Sequence, residues 1–129
     1  MGRLIVDADV LIDTLRRYPD AARFIDDHHD QIALSVVTVA ELYAGVKGKR
    51  EERDLINLCG LFERVAVSEA IAIRAGWMRN QYGPSHHAGL ADCIVAATAE
   101  SLGARVVTLN AKHYPMLKGK VMVPYRKWG

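Results

Sequence analysis

Three acids stand out by where they sit. Asp7 ends the apolar run Leu4-Ile5-Val6, Glu41 lies inside Ser35-Val36-Val37-Thr38-Val39-Ala40-Glu41-Leu42, and Asp92 opens the alanine-rich stretch Leu90-Ala91-Asp92-Cys93-Ile94-Val95-Ala96-Ala97. Asp7 lies amid apolar neighbours that would make an unpaired charge costly, so it must be compensated. Carboxylates drawn from separate elements, with too little cysteine or histidine to suggest zinc, favour hard, oxygen-bound ions such as Mg²⁺ or Mn²⁺. Such ions act on oxyanions. Phosphodiester hydrolysis is the natural reaction, because a bound ion lowers the pKa of an attacking water and stabilises the leaving oxygen, with one or two ions engaged.

Each acid also has a local structural alternative. Asp7 could simply anchor the start of the helix that follows it. Thr38-Val39-Ala40-Glu41 satisfies the Ser/Thr-x-x-Glu capping box, which would account for both polar residues. Ser35 offers an equally good cap one turn earlier, and with Ser35 as the cap Glu41 falls in the second turn, free to point across the sheet edge. A carboxylate at Asp92 gains from the helix dipole. Asp9 reads as an N-cap, and Asp13, one turn further on, as a residue of the helix surface.

The elements that must bring these acids together alternate between strand and helix. Strands are expected at Arg3 to Val6, Ile32 to Leu34, Val65 to Val67, Arg105 to Leu109 and Val121 to Val123. Helices are expected from Asp9 to Leu15, from Pro19 to about His28, from Ser35 or Thr38 to the glycines Gly45 and Gly48, from Lys49 to Phe62 with an interruption at Gly60, from Ser68 to the break Gly83-Pro84, and from Leu90 to Leu102, where Gly103 ends the run. His86 to Gly89 forms a loop, and Asn110 caps a short turn to about Leu117. Each parallel return of a strand needs a crossover, so the pattern favours an α/β fold with a parallel sheet covered on both faces. In such folds the active site lies at the carboxyl edge of the sheet.

At 129 residues the chain is expected to form one domain, spanning 1–129. Its net charge of +2 is unevenly divided: residues 1–46 carry −4, residues 47–129 carry +6, and no acid follows Glu100. A basic surface beside an acidic cluster suits a polyanion held near divalent cations. The alternative is that these lysines only solubilise loops. Cys59 and Cys93 are far apart and read as reduced apolar residues rather than a zinc site or disulfide. No signal peptide and no membrane span are expected, and the protein should be cytoplasmic.

Ile-Val-Asp-Ala-Asp-Val-Leu-Ile-Asp at 5–13, Ser-Val-Val-Thr-Val-Ala-Glu-Leu at 35–42, Leu-Ala-Asp-Cys-Ile-Val-Ala-Ala-Thr-Ala at 90–99 and Val-Val-Thr-Leu-Asn-Ala-Lys-His-Tyr at 106–114 together resemble the PIN domain. The resemblance is greatest to the VapC-type toxins of bacterial and archaeal toxin–antitoxin pairs. Any one of these motifs is weak, but four in order cover nearly the whole chain. The resemblance implies a three-layer α/β/α fold with a central, mainly parallel sheet of about four to five strands. It further implies Mg²⁺- or Mn²⁺-dependent cleavage of RNA, a homodimer, and a cognate antitoxin. Asp7, Glu41 and Asp92 match the family's metal-site acids. Asp9 falls where many members have Ser or Thr, and is either an added acid behind the metal ligands or a helix cap. Asn110 falls where many have a fourth acid, and either binds near a metal through its amide or caps the following turn. Thr108 matches the polar residue just before that position and would help to position a carboxylate.

Two other readings compete. Asp7-Ala8-Asp9-Val10 fits the nucleophile motif of haloacid-dehalogenase-type phosphatases, with Asp7 as the nucleophile and Val106-Val107-Thr108 imitating a second motif. Those enzymes need a Lys and a further acidic motif after the Thr, and only 21 residues remain, none acidic. The third reading is a degenerate PIN module that binds RNA or a protein without cutting, which Asn110 would permit. His86-His87, just upstream of Asp92, either meet substrate or are solvated surface.

Overall fold

A computed structural model describes residues 2–86 and 88–127, with the side chains of residues 85 and 86 outside that description. Five strands form one sheet: β1 (Leu4–Val6), β2 (Ile32–Ser35), β3 (Glu63–Val65), β4 (Arg105–Val107) and β5 (Val121–Met122). Their order is β3-β2-β1-β4-β5 and every pairing is parallel. Six helices connect them: α1 (Ala8–Leu15), α2 (Pro19–His28), α3 (Val36–Ala44), α4 (Gly48–Gly60), α5 (Glu69–His86) and α6 (Leu90–Leu102).

Alternation along the strands sorts their side chains into two cores. Ile5, Ala33 and Val106 pack on one face beneath α5 and α6, with Ala75, Met78, Cys93 and Ala96 among their neighbours. Leu4, Val6, Ile32, Leu34 and Val107 pack on the other, beneath α1, α2 and α4, with Val10, Phe24 and Leu55. The result is the expected three-layer α/β/α arrangement. Alanines fill much of the buried face of α6, which lets that helix lie close to the sheet. Gly103 closes α6 in the left-handed conformation, φ 62°, where glycine carries no Cβ penalty.

The order of strands sets the position of the site. From β1 the chain steps outward through β2 to β3, then crosses to the opposite side of β1 to lay down β4 and β5. The connections leaving β1 and β4 therefore diverge at the carboxyl edge, which makes a topological switch point there. The ladder continues one residue past β1, because the Asp7 N–H donates to the Val107 carbonyl at 2.9 Å. Asp7 and Thr108 are thereby held side by side.

Several boundaries differ from expectation. Asp7, not Asp9, is the N-cap of α1, and its side chain accepts from the Ala8 N–H. β3 lies at Glu63–Val65 rather than Val65–Val67, because pairing of Ser35 with Val65 sets an edge strand whose side chains are largely exposed. Gly48 does not end α3; with φ +79° it starts α4. α5 runs through Gly83-Pro84 to His86, with the proline inside its final turn. β4 ends at Val107, after which the Thr108 N–H still pairs with Met122. Asp13 is buried at 5% exposure, not on the helix surface. His87 lies outside the described residues.

Candidate functional site

The carboxyl edge between β1 and β4 gathers acids from three elements. Asp7 arrives on the end of β1, Glu41 on the second turn of α3, and Asp92 on the first turn of α6. The choice of cap decides the second of these. Ser35 is the N-cap of α3 and accepts from the Val37 N–H at 3.2 Å, so Glu41 is not used in a capping box. Thr38 is instead fully buried, and its Oγ1 has no hydrogen-bond partner. Asp92 does have a capping role, since its Oδ2 accepts from the Gly89 N–H at 3.4 Å.

Electrostatics show that these acids are neighbours. Burial, then the charges of Asp7 and Asp92, pushes the Glu41 carboxyl up from its ordinary range. Burial and Asp7 likewise push Asp92 up, against the Gly89 N–H, His113 and the Tyr114 hydroxyl, which hold it down. Asp9 is raised by burial and by Asp7. Asp7 thus sits within reach of all three other carboxylates. Among the described residues no Lys or Arg forms an ion pair with any of the four. The one cation-capable partner among the described residues is His113, whose Nδ1 lies 3.8 Å from Asp92 Oδ2.

Dipolar donors do the holding. Asp7 Oδ1 accepts from the Ala8 N–H at 2.8 Å, while Oδ2 accepts from the Tyr114 hydroxyl at 2.7 Å and faces Thr108 Oγ1 at 3.1 Å. Asp9 is more fully occupied. Its Oδ1 takes the Val10 N–H at 2.8 Å, and its Oδ2 is approached by the Leu109 N–H at 2.9 Å, Thr108 Oγ1 at 3.2 Å and Asn110 Nδ2 at 3.3 Å. Asp9 therefore clamps the start of α1 to the segment after β4. Asn110 occupies the N-cap position of the 3₁₀ turn Ala111–His113, but its side chain makes no capping bond there and turns to Asp9.

Tyr114 is a residue of this edge that the sequence pattern did not single out for the site. Nothing in its local spacing within the 106–114 motif distinguishes it from a packing residue. Its ring is indeed buried at 2% exposure, but its hydroxyl reaches the carboxylates. Burial, followed by Asp7, then pushes the phenol well above its usual range, so it is a hydrogen-bond donor at any physiological pH.

An oxygen-only donor set, mutually repelling carboxylates and the lack of a described Lys or Arg partner fit a hard divalent cation. Among the described residues no three His, Cys, Asp or Glu side chains already close on one point as a finished shell. The fit rests on donor chemistry and repulsion.

The PIN domain family matches this chain over residues 4–116. The chain belongs to the PIN-domain family. This PIN-domain chain is 37% identical over 118 residues to Ribonuclease VapC10 of Mycobacterium tuberculosis (strain ATCC 25618 / H37Rv), covering 89% of this chain and 88% of that one. Ribonuclease VapC19 of the same strain is 33% identical over 120 residues, covering 87% and 92%. Among solved structures, a chain of a toxin–antitoxin complex from Klebsiella pneumoniae superposes with a TM-score of 0.82 at 25% identity, covering 96% and 99%. Within the PIN fold, Asp7, Glu41 and Asp92 share the carboxyl edge of the sheet, with Asp9, Thr108 and Asn110 bonded behind them. No described helix is long and apolar enough to cross a membrane.

Proposed function

We propose that this PIN-domain chain is a divalent-metal-dependent ribonuclease, the toxin of a VapBC-type pair, with Asp7, Glu41 and Asp92 holding Mg²⁺ or Mn²⁺. The observation that carries the reading is the placement of three carboxylates from separate elements at the switch point, where the charges of Asp7 and Asp92 raise the Glu41 carboxyl and only amide and hydroxyl donors and His113 are described around Asp7 and Asp92. Relatives named as ribonucleases, matched over nearly their whole length, support the reaction class.

A bound ion would supply an acidified water and charge stabilisation at the leaving oxygen. The chain supplies the rest. Asp7 is oriented through both oxygens, and Asp92 is steadied at the N-terminus of α6. Asp9, saturated with donors, serves as a clamp, and Thr108 and Asn110 complete that clamp. Asn110 adds no negative charge, so tight binding of a second ion is not expected. Arg126 lines a cleft with Leu109, next to the segment that Asp9 holds, and offers positive charge to RNA phosphates.

The test is cleavage of structured RNA by the purified, partner-free protein. Mg²⁺ or Mn²⁺ should support cleavage and EDTA should stop it. Asp7→Asn and Asp92→Asn should each lower the rate at least about a hundredfold, since the ion contributes several kcal/mol to the transition state. Metal-independent cleavage, or full activity in both variants, overturns the proposal. The Klebsiella complex supports a cognate antitoxin as partner, and its co-expression should suppress cleavage. A homodimer is part of the same reading, and light scattering at working concentration checks it.

A further inference from the structure

The ring and the hydroxyl of Tyr114 belong to different parts of the molecule. The ring sits in the core shared by Ile5, Val106, Cys93 and Ala96, and a phenylalanine would fill that space. Packing gives no reason for an oxygen there. A buried hydroxyl is costly unless bonded, and this one donates to Asp7 Oδ2 at 2.7 Å.

Counting protons shows what that bond decides. Thr108 has one hydroxyl proton and two carboxylates within reach, Asp7 Oδ2 at 3.1 Å and Asp9 Oδ2 at 3.2 Å. Its oxygen already accepts the Asn110 N–H at 3.1 Å. Thr108 can serve either acid, but its single proton is divided between them. Asp7 Oδ1 has its own donor in the Ala8 N–H. Among the described residues only Tyr114 gives Oδ2 a short donor that does not also serve Asp9. The hydroxyl also lies near enough to Asp92 to help hold that carboxyl down, so it sits where the end of β1 meets the first turn of α6.

We propose that Tyr114 is a positioning residue for the metal-holding carboxylates: its hydroxyl fixes the plane of Asp7 beside Asp92, so that Asp7 is presented to the ion in one orientation. This rests on the reading of Asp7 and Asp92 as ion-holding acids. Partners that orient a ligand from behind typically change metal affinity by about 10–100-fold when removed.

The experiment compares wild type with Tyr114→Phe, which keeps the ring, and with Thr108→Val. Mn²⁺ binding is titrated by calorimetry, Tm is read in EDTA and in Mn²⁺, and RNA cleavage is measured at saturating Mn²⁺. Tyr114→Phe should raise the Mn²⁺ Kd about tenfold, leave Tm in EDTA within about 2 °C of wild type, and lower kcat more than it raises KM. Thr108→Val should affect Mn²⁺ binding less than Tyr114→Phe. A Kd within twofold of wild type in Tyr114→Phe overturns the proposal, as does a Tm loss equal in EDTA and in Mn²⁺, which marks a purely structural hydroxyl. A wild type that binds no Mn²⁺ overturns both this role and the metal reading. If wild type binds Mn²⁺ and Tyr114→Phe weakens it, yet RNA stays intact throughout, the positioning role stands and the ribonuclease reading falls.

Discussion

Asp7 and Asp13 lie six residues apart on the same strand–helix unit, and each accepts a tyrosine hydroxyl at 2.7 Å, from Tyr114 and Tyr125 respectively. Their charges are handled in opposite ways. Asp13 is paired with Lys127 Nζ at 2.6 Å, and that ammonium also lies 5.2 Å from the centre of the Tyr18 ring, which packs against Tyr125 at 5.4 Å. The charge is closed within the fold and straps the segment after β5 onto α1. Asp7 faces Glu41 and Asp92 with dipoles alone to support it. Burial by itself therefore does not mark a site, since Asp13 is the more buried of the two. What marks it is a partly buried carboxylate left among like charges.

The largest expected effect separates the two acids directly. Asp13→Asn should cost about 2 kcal/mol of unfolding free energy, because it strands Lys127 and weakens a charged hydrogen bond, while leaving RNA cleavage per folded molecule unchanged. Asp7→Asn should do the reverse: stability in EDTA stays within about 0.5 kcal/mol, because lost repulsion offsets a weaker cap, but stabilisation by Mn²⁺ disappears. Urea denaturation with and without Mn²⁺ reads both. Equal destabilisation by the two variants would erase the contrast.

A smaller effect follows from protonation. Glu41, Asp9 and Asp92 all have carboxyl pKa values raised in the folded state. The folded chain thus binds more protons than the unfolded chain between the ordinary carboxylate range and the raised values. Stability then falls as pH rises through that window, and the penalty is complete above the raised values. A divalent ion favours the deprotonated acids, so its stabilisation should grow over the same window. Tm of wild type minus that of Glu41→Gln, followed from acid to neutral pH in EDTA, isolates one group. A difference that moves in favour of wild type as pH rises would contradict the repulsion.

Much of this was legible in the sequence. The three acids announce themselves because each interrupts an apolar element at its beginning or end, and a parallel sheet brings such ends to one edge. Ser35, one turn ahead of Thr38, released Glu41 from a capping role. Long-range pairing was not legible. Tyr114 reaches Asp7 across 107 residues and Lys127 reaches Asp13 across 114, and no local spacing encodes either contact. Asp9 and Asp7 exchanged the capping role because β4 extends the ladder to Asp7 and turns the Asp9 carboxylate toward Leu109. The strand β3 was misplaced because an edge strand is defined by backbone pairing, while an apolar triplet nearby imitates one.

The smallest effect compares the two tyrosines themselves. Tyr125→Phe removes one donor from Asp13, but Lys127 remains and the site is only half-buried on the tyrosine side. The loss should therefore be about 1 kcal/mol, below the usual range for a hydrogen bond to a charged group, and Tm should fall by about 3–5 °C for a chain of this size. Mn²⁺ affinity should not change, because the clasp lies toward the far end of α1 from Asp7. If Tyr125→Phe instead weakens Mn²⁺ as Tyr114→Phe does, the strap acts on the metal edge through α1, and the two carboxylates are one coupled system rather than two kinds of charge.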